Sequence, residues 1–209
     1  MSTALLKADN LICERDDRLL FSGLSFEIHP GDVLQLEGPN GSGKTTLLRI
    51  LSGLFSSFEG QIWWQGQEMQ SCRSEFQQDL LFLGHKSSVK TTLNPIENLR
   101  FLTGLQQSIT EQQLWQALEL VGLAGYEHVL CRNLSAGQKR RVALARLYLS
   151  DAKLWVLDEI FTAIDKKGVA QLESLLAEKA RSGVTIVLTT HHELAMSNIK
   201  KLMLGQVTS

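Results

Sequence analysis

The sequence predicts an α/β fold in which a helical lobe interrupts two stretches of strands and helices. Short apolar runs near both ends of the chain are typical of buried strands. A glycine-rich loop follows an early strand and opens an amphipathic helix, as in a βα unit. The middle of the chain carries helix-start signals instead of strand signals. We therefore expect one domain over residues 1–209, with the helical lobe at about 86–150.

The composition is that of an ordinary globular protein. Hydrophobic residues make up 44% of the 209 residues and charged residues 21%, which excludes a disordered or fibrous chain. The 21 Lys and Arg residues are balanced by 22 Asp and Glu residues, so the basic excess of a nucleic-acid-binding protein is missing, and we expect no nucleic-acid partner. No run of about 18 apolar residues predicts a transmembrane helix. Cys13, Cys72 and Cys131 are scattered, which argues against a disulfide framework or zinc site and fits a reducing compartment.

Alternation and turn residues predict the elements of the first part of the chain. Residues 24–28 alternate as a strand, and residues 33–37 form a short strand before the glycine-rich loop. The helix that follows the loop is expected to end near Gly53. Residues 61–65 indicate another strand, and the apolar residues 80–83 are expected to be buried.

Two helix starts are predicted in the middle of the chain. Asn94, Pro95 and Glu97 combine a capping residue, a proline suited to the first turn and an acid three residues after the cap. Thr110 and Gln113 have the spacing of a capping box in front of an apolar periodic stretch. Both signals place helices in the inserted lobe.

The glycine-rich loop predicts a phosphate-binding site. Its sequence fills every fixed position of the pattern GxxxxGK[ST] between a predicted strand and a predicted helix. The glycines let backbone N–H groups turn towards phosphate oxygens, the lysine supplies a charge for the β- and γ-phosphates, and the threonine can bind Mg²⁺. A glycine-rich turn without ligand is the alternative, and the loop alone does not separate kinases, GTPases, helicases and transport ATPases. The predicted nucleotide-binding residues are Gly38, Pro39, Asn40, Gly41, Ser42, Gly43, Lys44, Thr45 and Thr46.

A predicted βαβ unit near the end of the chain carries two adjacent acids. Its strands are the apolar runs 154–157 and 184–188, with a helix at 167–181 between them. The first run leads into Asp158 and Glu159, at the end of a strand where α/β sheets bind ligands. Asp158 could hold Mg²⁺ through water, and Glu159 could polarise the attacking water, although an ordinary strand exit is the alternative.

A second predicted anion-binding helix start follows the lobe. It is formed by Leu134, Ser135, Ala136, Gly137 and Gln138. The serine suits a helix cap, and the glycine lets a phosphate approach the backbone. Because one nucleotide has little use for two such helix starts, we expect the segment of one chain to cover the nucleotide bound to the loop of a second copy.

A run of basic residues follows this segment. Its members are Lys139, Arg140, Arg141 and Arg146, and we expect a solvated helix face in preference to a nucleic-acid site.

These motifs, in this order, resemble the ATP-binding cassette (ABC) ATPases over nearly the whole chain. The resemblance also includes the segment 162–165 and the segment 189–191. It implies a P-loop NTPase of the ABC ATPase type: a RecA-like core with an N-terminal antiparallel β subdomain and an inserted α-helical subdomain. It further implies ATP and Mg²⁺ as ligands, a head-to-tail homodimer, Glu159 activating water, His191 contacting the γ-phosphate and Asp165 making a contact across the dimer. His191 could instead be a polar residue at a strand end, and His192 is expected at the surface.

Three positions depart from the general cassette pattern. His85 stands where the family normally carries glutamine, and an imidazole can bridge water or Mg²⁺. Arg15 aligns with the aromatic residue that usually stacks on adenine, so its guanidinium either stacks there or is exposed to solvent. Ile160 replaces the usual proline after Glu159, which could loosen the following turn.

Within the cassette ATPases, the chain is most similar to the ATP-binding subunits of the bacterial cytochrome c maturation system. The resemblance rests on the GHK, LSAGQ, FTAIDKKGV and LTTHH stretches and on the segment before the phosphate loop. It implies a peripheral protein at the cytoplasmic face of the inner membrane that works with an integral membrane permease in haem export or delivery. An ATPase for another cargo, such as a lipoprotein or peptide, and a soluble cassette ATPase without a transport role are the alternatives.

Overall fold

The computed structural model of the protein describes residues 4–85, 87–103 and 109–205, and the chain divides into two compact units. The first unit contains the described residues of 1–82, 152–159 and 173–209, and the second contains those of 83–151 and 160–172. Residue 86, at which the predicted lobe begins, lies outside the described residues. In chain order the elements are β1 (Leu6–Arg15), β2 (Arg18–Ile28), β3 (Val33–Glu37), α1 (Lys44–Leu51), β4 (Glu59–Trp64), β5 (Gln67–Glu68), α2 (Arg73–Gln78), β6 (Leu80–Leu83), α3 (Pro95–Thr103), α4 (Glu111–Leu120), α5 (Ala136–Leu149), β7 (Leu154–Asp158), α6 (Lys166–Arg181), β8 (Thr185–Thr189) and β9 (Ile199–Met203).

The strands form two sheets. The four-stranded sheet has the order β2-β1-β4-β5 and is antiparallel. The five-stranded sheet has the order β6-β7-β8-β3-β9, and its β7, β8, β3 and β9 pair in parallel. The register sets Asp158 opposite Thr189 at the carboxyl ends of β7 and β8. Polar residues that leave these strands therefore meet at one edge of the sheet.

Strand β1 was not among the predicted strands, and its irregular pairing explains why. Its register with β2 shifts between Ala8 and Leu11 and again before Cys13, so apolar and polar residues do not alternate evenly. The hairpin to β2 turns through Asp16 and Asp17, both of which have positive φ, as a two-residue turn of the primed type requires. The short or exposed elements β5, α2 and β9 were also not predicted.

The core of the first unit packs the phosphate-loop helix against both sheets. The buried residues Leu47, Leu48 and Leu51 of α1 lie in one cluster with Leu34 and Val187 of the parallel sheet. This burial of one helix face fixes where the helix begins, and so where the phosphate loop ends.

The second unit is built from helices whose starts agree with the prediction. Thr110 and Gln113 form a capping box at α4. Asn94 and Glu97 exchange hydrogen bonds of 2.8 and 2.9 Å between backbone N–H and side chain at the start of α3. Apolar faces of α3, α4 and α5 enclose a separate core.

Within the part of the chain that the structure describes, no helix is both long enough and apolar enough to cross a membrane.

Candidate nucleotide-binding and catalytic site

The phosphate loop connects the end of β3 to the start of α1. A Cβ at Gly38 would lie 2.4 Å from the carbonyl oxygen of Leu204, so this position requires glycine. Lys44 donates from Nζ to the carbonyl oxygens of Gly38 and Pro39 at 2.7 and 3.0 Å, which places its ammonium over the loop. Ser42 Oγ is buried and has no hydrogen-bond partner among the described residues. A phosphate oxygen bound in the loop would give this hydroxyl a partner.

Asp158 lies beside this loop at the end of β7. Its buried carboxylate accepts a hydrogen bond from Thr189 Oγ1 at 2.7 Å and one from Thr45 Oγ1 at 3.1 Å. The structure thus brings together Thr45 and Asp158, two of the three residues predicted to bind Mg²⁺. Hydroxyl and carboxylate oxygens are the ligands that Mg²⁺ prefers.

Glu159 is held in an unusual backbone conformation. Its φ is 53°, in the left-handed region that non-glycine residues rarely adopt. Its N–H donates to both the carbonyl oxygen and the Oγ1 of Thr189, each at 3.1 Å. Ile160, which follows it, is buried and lies in the second unit. Strained residues held by several bonds are typical of functional sites.

His191 approaches the carboxylate of Glu159. Its Nε2 lies 3.6 Å from Glu159 Oε1, close enough for an ion pair when the ring is protonated. The side chain of His191 is 72% exposed, whereas that of Glu159 is 17% exposed. The two predicted catalytic residues therefore stand together, with the imidazole on the solvent side.

His192 was expected at the surface, and the structure places it there only in part. Its ring Nε2 lies 3.2 Å from Oε1 of Glu173, and its side chain is only 37% exposed. Nothing in the local sequence links these two residues, because Glu173 lies on α6 and comes close only through the fold.

The predicted signature segment starts helix α5 in the second unit. Ser135 caps the helix in a reciprocal capping box with Gln138. A Cβ at Gly137 would make only ordinary contact, 3.5 Å from the carbonyl oxygen of Ala163, so packing within the chain does not require glycine there. The contact of this glycine with a ligand therefore stays a prediction.

Asp165 caps a helix. Its Oδ1 accepts a hydrogen bond of 2.8 Å from the N–H of Gly168, in the first turn of α6. Capping needs no second chain, so the bond itself says nothing about a contact across a dimer.

The expectation of a solvated basic face on α5 is wrong for Arg140 and Arg146. Arg140 is 6% exposed, and its Nη1 donates to the carbonyl oxygens of Gly84 and His85 at 2.9 and 3.3 Å. Burial lowers the pKa of the Arg146 guanidinium, which is likewise not freely solvated. The side chain of His85 is exposed, while its carbonyl is tied to the signature helix. Arginine carries an apolar stem, so a run of basic letters does not by itself mark an exposed face.

Two arginines lie at opposite ends of the β1–β2 turn. Arg15, predicted as an adenine contact, is exposed, and its Nε lies 3.4 Å from Oδ2 of Asp16. Arg18 has its Nη1 3.5 Å from the position that a Cβ on Gly41 would occupy. The structure therefore places Arg18 beside the phosphate loop. The sequence instead predicts Arg15, because Arg15 aligns with the aromatic residue that usually stacks on adenine.

The phosphate loop lies beside the buried carboxylate of Asp158, which is suited to hold a metal ion, and a glutamate and a histidine lie at the same edge of the sheet. These features define a nucleotide-hydrolysing P-loop protein. The family described as ABC transporter matches residues 21–162, and the chain belongs to this family. It is 56% identical over 207 residues, 99% of this chain and 98% of the relative, to the cytochrome c biogenesis ATP-binding export protein CcmA of Hahella chejuensis.

Solved structures agree with this assignment. A putative ABC transporter ATP-binding protein from Pyrococcus furiosus is 26% identical, covers 95% of this chain and 96% of its own, and has a TM-score of 0.80. A dimeric ATP-binding cassette bound to ADP and phosphate has a TM-score of 0.82 at 21% identity, covering 95% and 94% of the two chains, and shows the same fold. The predicted fold class and the predicted family resemblance are both confirmed.

Proposed function

We propose that this chain is the ATP-hydrolysing subunit of an ABC transporter for cytochrome c biogenesis, which couples hydrolysis to haem export or delivery. The observation that carries the proposal is the identity of 56% to a cytochrome c biogenesis export protein over nearly the whole chain. The catalytic geometry at the ends of β7 and β8 supports the hydrolytic step independently.

ATP binds with its phosphates in the loop between β3 and α1. Lys44 exchanges its two carbonyl partners for phosphate oxygens, which attract an ammonium more strongly than a neutral carbonyl does. The N-terminus of α1 adds N–H groups and the positive end of its dipole. Binding is therefore strongest where negative charge is greatest, at the β- and γ-phosphates.

Thr45 would hold Mg²⁺ through its hydroxyl oxygen, and Asp158 would hold it through water. The oxygens of the two side chains lie 3.1 Å apart, so both are close to the same point beside the phosphate loop. When bound, Mg²⁺ neutralises charge on the β- and γ-phosphates.

Hydrolysis takes place between Glu159 and the γ-phosphate. The carboxylate of Glu159 accepts a proton from a water whose oxygen attacks the γ-phosphorus, and the bond to the β–γ bridging oxygen breaks to leave ADP and phosphate. His191, 3.6 Å from this carboxylate, donates to a γ-phosphate oxygen and orients the water. Glu159 therefore acts as the general base, and His191 orients the water and contacts the γ-phosphate.

The functional unit is a homodimer in which the signature segment around Ser135 and Gly137 contacts ATP on the other copy. The dimeric cassette with ADP and phosphate has the same fold, which supports this assembly. The chain acts as a single cassette domain, peripheral at the cytoplasmic face of the inner membrane and bound to a cytochrome c maturation permease. Closure of the dimer on ATP and its reopening after hydrolysis drive the membrane partner.

Two variants and one purification test this function. Lys44→Ala should weaken ATP binding, whereas Glu159→Gln should bind ATP and lose turnover, because the amide cannot accept the proton. Purification from membranes should recover a cytochrome c maturation permease. Parental hydrolysis by Glu159→Gln would refute the catalytic assignment, and recovery of a permease for another cargo would refute the transport role.

A further inference from the structure

His191 sits in a short segment after β8 whose neighbouring residues are anchored. Thr189 Oγ1 donates to Asp158 at 2.7 Å. Thr190 Oγ1 accepts a hydrogen bond of 2.8 Å from the N–H of His192. The imidazole of His192 then turns to Glu173, while that of His191 faces Glu159. Adjacent histidines thus point to different carboxylates.

Glu173 holds this segment at two points. Its Oε1 lies 3.2 Å from Nε2 of His192 and also accepts a hydrogen bond of 2.9 Å from the N–H of Ala195. The side chain is 17% exposed, so water screens the interactions of this carboxylate only in part. One side chain of α6 therefore contacts the segment on both sides of Glu193, through a side chain at His192 and through the backbone at Ala195.

We infer that Glu173 and His192 are positioning residues for hydrolysis. The pair holds the segment 190–195 so that the imidazole of His191 stays opposite the carboxylate of Glu159. This inference rests on the proposed role of His191. It assigns to His192 and Glu173 no contact with ATP or with the attacking water.

The physical reason lies in the exposure of His191. An exposed imidazole has several rotamers, and its orientation depends on the backbone that carries it. Loss of the Glu173–His192 pair frees that backbone and lowers the fraction of molecules in which His191 is correctly placed. Because ATP is bound mainly by the phosphate loop, the loss should appear in kcat and hardly in KM.

Steady-state and single-turnover ATP hydrolysis by the full chain, in the complex recovered from membranes, tests the inference. His192→Ala and Glu173→Ala should each lower kcat about ten- to a hundredfold, the range expected for a small misplacement of a catalytic group, with KM for ATP within about twofold. His192→Gln should recover much of the loss, because its amide can still donate to Glu173. Glu178→Gln, at an exposed position on the same helix, is the matched control and should behave like the parent.

A double-mutant cycle with His191→Ala decides whether the effect acts through His191. In the His191→Ala background, His192→Ala should produce no further loss of kcat. An equal loss in both backgrounds, or parental kcat in both His192→Ala and Glu173→Ala, would overturn the inference. Parental kcat in His191→Ala alone would instead overturn the proposed role of His191, so the two failures are distinguishable. Thermal unfolding of each variant identifies any loss that comes from misfolding.

Discussion

Replacing Thr189 by valine should slow ATP hydrolysis and raise the Mg²⁺ concentration at which hydrolysis is half-maximal. Thr189 is buried, and its hydroxyl serves two neighbours at once. It donates to Asp158 at 2.7 Å and accepts from the N–H of Glu159 at 3.1 Å. Valine has nearly the same shape but no hydroxyl, so the substitution removes both bonds and leaves the packing in place.

The cost can be worked from these contacts. A hydrogen bond to a charged group contributes about 1.5–3 kcal/mol. The N–H of Glu159 keeps its second acceptor, the carbonyl oxygen of Thr189 at 3.1 Å, so its loss adds little. We expect a decrease of about 2 kcal/mol in the free energy of unfolding, and a decrease of roughly 4–8 °C in Tm for a chain of this size.

Thermal unfolding followed by circular dichroism measures the stability, and ATP hydrolysis at increasing Mg²⁺ concentration measures the function. Thr189→Ser is the matched control, because it keeps the hydroxyl and loses one buried methyl group at a cost of about 1 kcal/mol. The serine variant should therefore be moderately destabilised but retain its kcat and Mg²⁺ requirement. If valine and serine variants had the same kcat and Mg²⁺ requirement, the hydroxyl would have no role in placing Asp158 and Glu159.

The arginine beside the phosphate loop and the buried thiols support two further predictions. Arg18→Ala should weaken ATP binding roughly fivefold, equivalent to about 1 kcal/mol for one exposed charge, whereas Arg15→Ala should have little effect. Isothermal titration calorimetry measures the affinity of both variants for ATP. Equal losses of affinity would contradict the conclusion that Arg18, and not Arg15, lies at the phosphate loop. Burial raises the pKa of the Cys13 and Cys131 thiols, so fewer thiolates form at pH 8, and both should react with an aromatic disulfide reagent at least about tenfold more slowly than in the unfolded chain. Rapid modification of the native protein at that pH would contradict this prediction.

The parts of the site that depend on local sequence could be predicted. The phosphate loop, the helix cap at Ser135 and the acids at the end of β7 are set by residues close together in the chain. Each feature is recognised from a short sequence motif, and recognising such a motif requires no knowledge of the fold. The two apolar runs also predicted β7 and β8, while the register that pairs Asp158 with Thr189 is known only from the structure.

The parts that depend on tertiary contacts were missed or misjudged. Arg140 appeared in a basic run, yet its guanidinium is buried against carbonyl groups of Gly84 and His85. His192 was expected at the surface, yet its ring lies beside Glu173 of α6, 19 residues earlier in the chain. In each case the polar side chain is paired with a residue distant in the chain, and composition cannot identify such a partner.

The backbone strain at Glu159 explains why one threonine is so important to the site. A non-glycine residue in the left-handed region costs about 1–2 kcal/mol, and persists only when its surroundings hold it. Here the two bonds from the N–H of Glu159 to Thr189 supply that restraint, and the same Thr189 hydroxyl donates to Asp158. Thr189 thus contacts both residues: it holds Glu159, proposed to activate water, through its carbonyl and hydroxyl oxygens, and Asp158, proposed to hold Mg²⁺, through its hydroxyl side chain alone. A change in that side chain should affect water activation and metal binding together, whereas a change in His192 should affect only the histidine side of the site.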